Sequence, residues 1–369
     1  MLGGRKGVSR VLDQLGVFDL VMEARRRVNA PVLTVLCYHS IGDPESDYVY
    51  DPEVIDATAE EFRQQLAFAE RHCTVVDVND LCAIMDGEPP PPNPLMITFD
   101  DGYRSCYDVA FPILQEFGFP AVFFIATDYV QNRRAYWWDV VNYLVKSSDV
   151  DRLELTYPRA MTLSLSGDDA RKEAIEQLLR LIKSEKDLEL ERFLQEIAGA
   201  AKVEWNRDIE RAIADELIMT WDEIRAMRDA GMDIESHTRT HRVLQTISGA
   251  ELDKELVGSS EDLERELGQR ARILAYPVGH GVAESLEVRQ AITAAGYRLG
   301  FTNGSGVNYL WRDIDQLDIR RVATERGLPL PVFRIGITAP PLAYRSKFHK
   351  SSLQGRFNGL LRPSGRPQG

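Results

Sequence analysis

The chain has 369 residues, 44% hydrophobic and 27% charged, with a formal net charge of -13. That is enough apolar sequence for a sizeable core, in one large enzyme domain or two ordinary ones, and it excludes general nucleic-acid binding, which needs a basic surface. No apolar run is long enough to cross a bilayer.

Residues 1–30 read as an N-terminal amphipathic helix over 8–27, with Val11, Leu15, Phe18 and Met22 at helical spacing and Arg25, Arg26 and Arg27 in the last turn. The expectation is a helix packed on the domain; a membrane-surface helix is the alternative. Asp13 and Asp19 interrupt the stretch where a signal peptide would be apolar, so the sequence reads as cytoplasmic, with the inner membrane surface as a second place. Cys37, Cys73, Cys82 and Cys106 form no C-x-x-C pair and read as reduced thiols.

From residue 31 to 330, short apolar runs alternate with helical patterns. Strands are predicted at 32–37, 74–77, 95–100, 121–126, 232–236, 273–276, 298–302 and 319–323. Helices are predicted at 59–71, 106–117, 221–230, 250–267 and 286–295. This order implies an α/β fold with a mainly parallel sheet, and seven or eight strands suit an irregular (β/α) barrel. The stiff run from Pro89 to Pro94 reads as a connector into the third strand. Residues 145–215 break the rhythm and read as a mostly helical insertion. Residues 331–369 read as a basic tail, with six Lys or Arg and no acid from Arg345 onward, and with Phe348, Phe357, Leu360 and Leu361. Attraction of both termini to anionic lipid is a secondary expectation.

The strongest local signal is Thr98-Phe99-Asp100-Asp101-Gly102-Tyr103 at the end of a predicted strand. Two adjoining carboxylates repel, so one must carry a proton or share a cation. A plain turn or helix cap reads equally well from this motif alone. The second signal is His237-Thr238-Arg239-Thr240-His241, also after a strand. Two imidazoles four residues apart meet on one face if the backbone turns helically, and can then share a metal. The glutamate of a zinc-protease helix is absent, Thr238 standing in its place, so a general base must come from elsewhere. Together, Asp101, His237 and His241 would make a three-ligand site and leave Asp100 free as a base.

With these motifs the sequence resembles the polysaccharide deacetylases with a NodB-type domain, carbohydrate esterase family 4, over roughly residues 31 to 325. The likeness also takes in Ala275-Tyr276-Pro277-Val278-Gly279, Cys37-Tyr38-His39-Ser40-Ile41 and Trp137-Trp138-Asp139, the last two as in members from bacterial exopolysaccharide gene sets. The resemblance implies a NodB-like barrel and the removal of N-acetyl groups from an amino sugar in a polysaccharide or oligosaccharide. It implies a divalent metal, Zn²⁺ before Co²⁺ or Ni²⁺, on Asp101, His237 and His241, and Asp100 as catalytic base. Tyr103 would offer its backbone N–H to the oxyanion, and Tyr276 and Pro277 would line the substrate groove.

The sequence departs from the pattern twice. Ala275 stands where many members carry Arg, with Arg272 the nearest substitute, and no late Leu-x-His-Asp motif is present. His39 fits an early general acid, as in the poly-N-acetylglucosamine deacetylases; a merely hydrogen-bonded strand-end histidine is the competing reading, and His280 is the rival acid. Trp137 and Trp138 could stack on a sugar or be core of the insertion, and Asp139 could orient a catalytic group or contact substrate. Other function classes are an O-acetyl esterase or different amide hydrolase on the same metal site, and a non-catalytic carbohydrate-binding scaffold.

Overall fold

A computed structural model describes residues 2–28, 31–45, 48–304 and 306–338. Its centre is a ring of parallel strands: β1 (Val32–Tyr38), β2 (Pro94–Phe99), β3 (Val122–Ile125), β4 (Asp233–Ser236), β5 (Ile273–Ala275), β6 (Leu299–Thr302), β7 (Ile319–Arg320) and β8 (Val322–Ala323). Each pairs with the next from β1 to β7. β8 continues β7 after Arg321 and pairs back onto β1, Leu36 opposite Val322. The sheet is thereby a nearly closed, irregular barrel. Strands Thr74–Val75 and Asn308–Tyr309 flank it on β2 and β1.

Every residue of β1 and β2 is buried. Strands covered on both faces read as continuous apolar runs, which is why these segments were visible as such in the sequence. Within them the side chains still alternate. Leu33, Val35, Met96, Val122, Phe124, Ile273, Leu299, Phe301 and Ile319 form one cluster inside the barrel, plugged below by Val78, Leu81 and Cys82. The alternate residues, among them Leu36, Ile97, Phe99 and Phe123, pack outward against the helices. Extending the inward alternation by one step beyond the apolar core reaches Cys37, Thr98, Asp100 and Arg321. The barrel mouth is therefore polar, where parallel α/β barrels carry their sites.

Helix starts follow local chemistry. Thr58–Glu61, Asp77–Asp80 and Thr220–Glu223 are reciprocal capping boxes opening helices Ala59–His72, Val78–Met85 and Trp221–Asp229. The expected helix at 106–117 opens as a π-helical turn, Cys106–Ala110, before the α-helical Phe111–Phe117.

Two expectations need correction and a third is extended. The N-terminal helix is two helices, Leu2–Gln14 and Val17–Arg27, broken at Gly16 with φ 68°. Phe18 and Met22 are buried, whereas Val11 and Leu15 face outward, so the single stripe does not pack as one. The region at 145–215 is mostly helical as expected, with helices Asp168–Ser184, Leu190–Ala201 and Arg207–Leu217, and it adds an antiparallel hairpin, Arg152–Leu155 with Met161–Ser164. The tail expected from 331 begins later, because Leu330–Thr338 is a helix with Phe333 and Ile337 buried. The basic run from Arg345 lies outside the described residues.

Candidate active site

β2 delivers Asp100 to the mouth, and the chain then turns sharply. Asp101 and Gly102 both have positive φ, 72° and 99°. A Cβ at Gly102 would crowd Ile125 Cδ1 at 3.2 Å and would be strained by the positive φ, so the turn favours glycine. The Asp101 carbonyl accepts from the Tyr136 hydroxyl at 2.7 Å and from the Ala126 N–H at 3.2 Å. With its backbone pinned this way, Asp101 aims its carboxylate at the loop after β4, and Asp100 Oδ2 lies 3.9 Å from a nitrogen of the same loop, His237 Nε2.

That loop carries His237 and His241, and it is not helical. Thr238 and His241 have φ of 63° and 53°, and the two rings meet because the backbone doubles back rather than because they share a helix face. Buried Glu255 holds the bend, accepting from the N–H of Arg239 at 3.0 Å and of Thr240 at 2.7 Å. Asp262 adds a second anchor, taking the Thr127 hydroxyl at 2.8 Å and Arg239 Nε at 3.1 Å. Neither acid stood out in the sequence, since both lie on an ordinary helix, Gly249–Leu267.

His237 Nδ1 donates to the Ala275 carbonyl, 2.9 Å away, which leaves a lone pair on Nε2. Burial pushes the His241 ring down to about 3 against the pull of Asp101, which favours its neutral form. Nε2 of each ring lies 3.4 Å from Asp101 Oδ1. That oxygen is buried and has no hydrogen-bond partner among the described residues. A desolvated carboxylate oxygen flanked by two imidazole lone pairs is unsatisfied as it stands and would be satisfied by a cation. Donor atoms of the three side chains lie within 4.8 Å of one another. The set fits a divalent metal with room left for water or substrate.

Asp100 has a different partner. Arg321 donates from Nη1 to Oδ1 and from Nη2 to Oδ2, both at 2.7 Å, with the two side chains buried. Burial pushes the carboxyl up, but Arg321, His237 and His39 outweigh it and hold it well below the usual carboxylate range. Arg321 is the functional residue that the sequence reading missed. Arg272, the substitute expected near Ala275, precedes β5 at the opposite end of the barrel and pairs with Glu235 and Asn79. The signal for Arg321 was a cation at an inward position of an apolar strand, two residues after Ile319.

His39 follows β1 and is partly exposed. Its Nδ1 lies 2.9 Å from Asp56 Oδ2, which also accepts the His39 N–H. Burial disfavours the charged ring, but Asp56, assisted by Asp101 and Asp100, raises it to about 9. Donor atoms of Cys37, His39 and Asp100 lie within 4.8 Å of one another, so this ring borders the base. Asp56 was also missed; its trace was one acid in the short apolar run Ile55–Ala57. His280 is not part of this group. It is half-buried, burial and Lys183 push its ring down, and no carboxylate supports it.

The remaining expected contacts are rearranged. The Tyr276 side chain is buried with its hydroxyl on the Leu317 carbonyl at 2.9 Å, closing the barrel wall rather than offering itself to a sugar. Pro277 is buried in the turn before His280. Trp137 and Trp138 are both buried. Trp138 sets its ring edge-to-face on His241, centroids 4.6 Å apart, and stacks on Tyr136, so it has no face free for a sugar. Its Nε1 donates to the Tyr103 hydroxyl at 2.6 Å, which donates to Asp139 Oδ2 at 2.9 Å. Asp139 Oδ1 accepts the Asp51 N–H at 2.9 Å. Asp139 is fully buried, and burial pushes it up to about 8, so it orients Tyr103 and does not touch substrate.

The family model for polysaccharide deacetylases matches residues 87–154 and 155–300, more than half of the chain. This chain belongs to the polysaccharide deacetylase family. Members are generally metal-dependent, in keeping with the donor set just described. Among relatives, the protein YxkH of Bacillus subtilis (strain 168) is 28% identical over 110 residues, 30% of this chain and 38% of that protein. The poly-beta-1,6-N-acetyl-D-glucosamine N-deacetylase of Escherichia coli (strain K12) is 31% identical over 87 residues, 24% of this chain and 13% of that protein. The chain thus spans well under half the length of either relative. A solved deacetylase, PplD of Streptococcus pyogenes in complex with acetate, superposes with a TM-score of 0.55 at 17% identity, over 84% of this chain and all of that one. At that identity the likeness concerns the fold.

Proposed function

We propose that this protein hydrolyses the N-acetyl group of an amino sugar within a glycan, releasing acetate and a free amine. The observation that carries the reading is the division of labour between two adjoining carboxylates. Asp101 faces the two imidazoles with an unsatisfied oxygen, while Asp100, 3.9 Å from His237 Nε2, is paired with Arg321. A pure sugar-binding scaffold has no use for an ionised carboxylate kept beside a cation site.

Asp101, His237 and His241 would hold the cation, Zn²⁺ by donor chemistry, which supplies Lewis acidity to the N-acetyl carbonyl and to water. Asp100 accepts the water proton on its carboxylate. Arg321 keeps that carboxylate ionised and fixed in plane, so its lone pairs are aimed before substrate arrives. His39, protonated through Asp56, passes its proton to the leaving nitrogen. Trp138 and the Tyr103–Asp139 pair immobilise His241 and exclude water behind it. An N-acetylglucosamine polymer is the substrate class we favour, because the Escherichia coli relative that shares this stretch is named for one.

The test is acetate release from N-acetylglucosamine oligomers by the purified chain loaded with Zn²⁺, alongside the same oligomers carrying O-acetyl groups. Release from the N-acetyl substrate alone is expected. Preference for the O-acetyl substrate would replace the amide reading with an esterase. Undiminished release by Asp100→Asn would remove Asp100 as the base.

A further inference from the structure

We infer that the outer faces of the paired N-terminal helices dock on an anionic lipid surface, with the barrel mouth on another part of the molecule. Val8, Val11, Leu15, Leu20 and Val28 are 59%, 53%, 68%, 69% and 72% exposed. Among the described residues only Leu286 and Trp311 are comparable, so the exposed bulky apolar surface is concentrated in this one segment. Spacing puts Val8 and Val11 along one side of Leu2–Gln14, away from buried Ser9, and Leu15 just past its end continues that side, its N–H on the Val11 carbonyl. Leu20 lies between the buried Phe18 and Met22 in sequence and so points outward from Val17–Arg27.

Charge selects the occupant. Two of the three acids of this segment are paired, Asp13 with Arg334 at 2.5 Å and Glu23 with Arg27 at 2.8 Å, and Asp19 lies 2.7 Å from the His72 ring. Exposed Arg10 and Arg26 have no acidic partner among the described residues. Arg25 Nη1 donates to the Ile337 carbonyl at 2.9 Å, which brings the end of helix Leu330–Thr338 against the same pair. The chain leaves the described structure there, and from Arg345 onward it carries six Lys or Arg and no acid. A second copy docking through the same face, or this chain's own basic tail, would bring like charge onto the patch. Anionic headgroups over an acyl boundary match both the cations and the apolar side chains.

The experiment is sedimentation of the full chain with vesicles of phosphatidylglycerol and phosphatidylcholine, against phosphatidylcholine alone. Binding to the anionic vesicles is expected, weakened by high salt. Leu15→Asp with Leu20→Asp should lower that binding by about tenfold or more while the far-ultraviolet circular dichroism and acetate release from soluble oligomers stay unchanged. Arg10→Glu with Arg26→Glu should remove the preference for anionic vesicles. Equal binding by the leucine double variant would overturn the inference. So would equal partition of the wild type onto both vesicle types, or a dimer in solution that the same leucine variant dissolves. Vesicle binding is read without turnover, so its failure leaves the proposed reaction untouched.

Discussion

Arg321 and Asp100 face each other through two parallel hydrogen bonds of 2.7 Å, both side chains fully out of solvent. The pair lies 221 residues apart in sequence and bridges β2 to the break between β7 and β8. A buried pair of this kind adds little stability over an apolar pair, but breaking it strands a charge. Arg321→Met should therefore destabilise the fold by about 3–5 kcal/mol, read from the urea midpoint. It should also lower kcat by about a hundredfold or more. Arg321→Lys keeps the charge and loses the two-pronged geometry, so it should recover stability better than rate. Equal rates for wild type and Arg321→Lys would show that only charge matters here.

Asp100→Asn and His237→Ala separate base from ligand. The first should abolish turnover, leaving bound metal near one equivalent, because Asp101, His237 and His241 are intact. The second should lose metal and activity together. Metal content by mass spectrometry beside acetate release reads both, and loss of metal in Asp100→Asn would merge the two roles.

His39 gives the pH dependence. Its ring is raised to about 9 by Asp56 against burial, so the acid form persists through neutrality. The rate should fall as pH rises through about 9. The stabilisation from the charged pair is fully present below the unfolded value near 6.5 and is lost over the same rise. Asp56→Asn should shift the alkaline limb of the kcat profile toward neutral pH by a unit or more, with KM little changed. An unmoved limb in that variant would return the acid role to another group.

Trp138 and Asp139 test the support behind His241. Trp138→Ala should weaken metal affinity by about 10–100-fold, the usual cost of losing an outer partner of a ligand. Trp138→Phe, which keeps the ring edge but not the Nε1 donor to Tyr103, should fall between. Titration with a chelator measures both.

Asp139 is buried and raised to about 8, so the folded state favours its neutral form. Its contribution to stability is present below the unfolded value near 3.8 and declines as pH rises through about 8. Asp139→Asn should flatten that decline in melts taken between pH 6 and 9. A wild-type decline that survives in the variant would assign it to another group.

The barrel and its mouth were legible in sequence because fully buried strands announce themselves as apolar runs, and because paired carboxylates and paired histidines are rare. Strands were placed to within about two residues. What the sequence hid were contacts across long separations. Arg321 looks like any surface arginine unless the inward alternation from Ile319 is followed, and Asp56 shows its purpose only beside His39. A spacing of four brings two rings together on a helix, but here the loop is not helical and two left-handed residues, Thr238 and His241, bring them together. For Trp138 and Asp139 the sequence left sugar contact and a supporting role both open, because aromatic and acidic residues are common in glycan sites. Both are buried in the first turn of the helix Trp137–Lys146, which turns them inward.

The interrupted last strand has an effect on the order of assembly. Until β7 and β8 dock between β6 and β1, Arg321 is absent from the mouth and Asp100 has no counter-charge. A chain that has folded only as far as β6 would hold all three metal-site residues and still lack a poised base. Completion of the barrel and competence for hydrolysis therefore arrive in one event, so an unfinished or frayed molecule is an idle one.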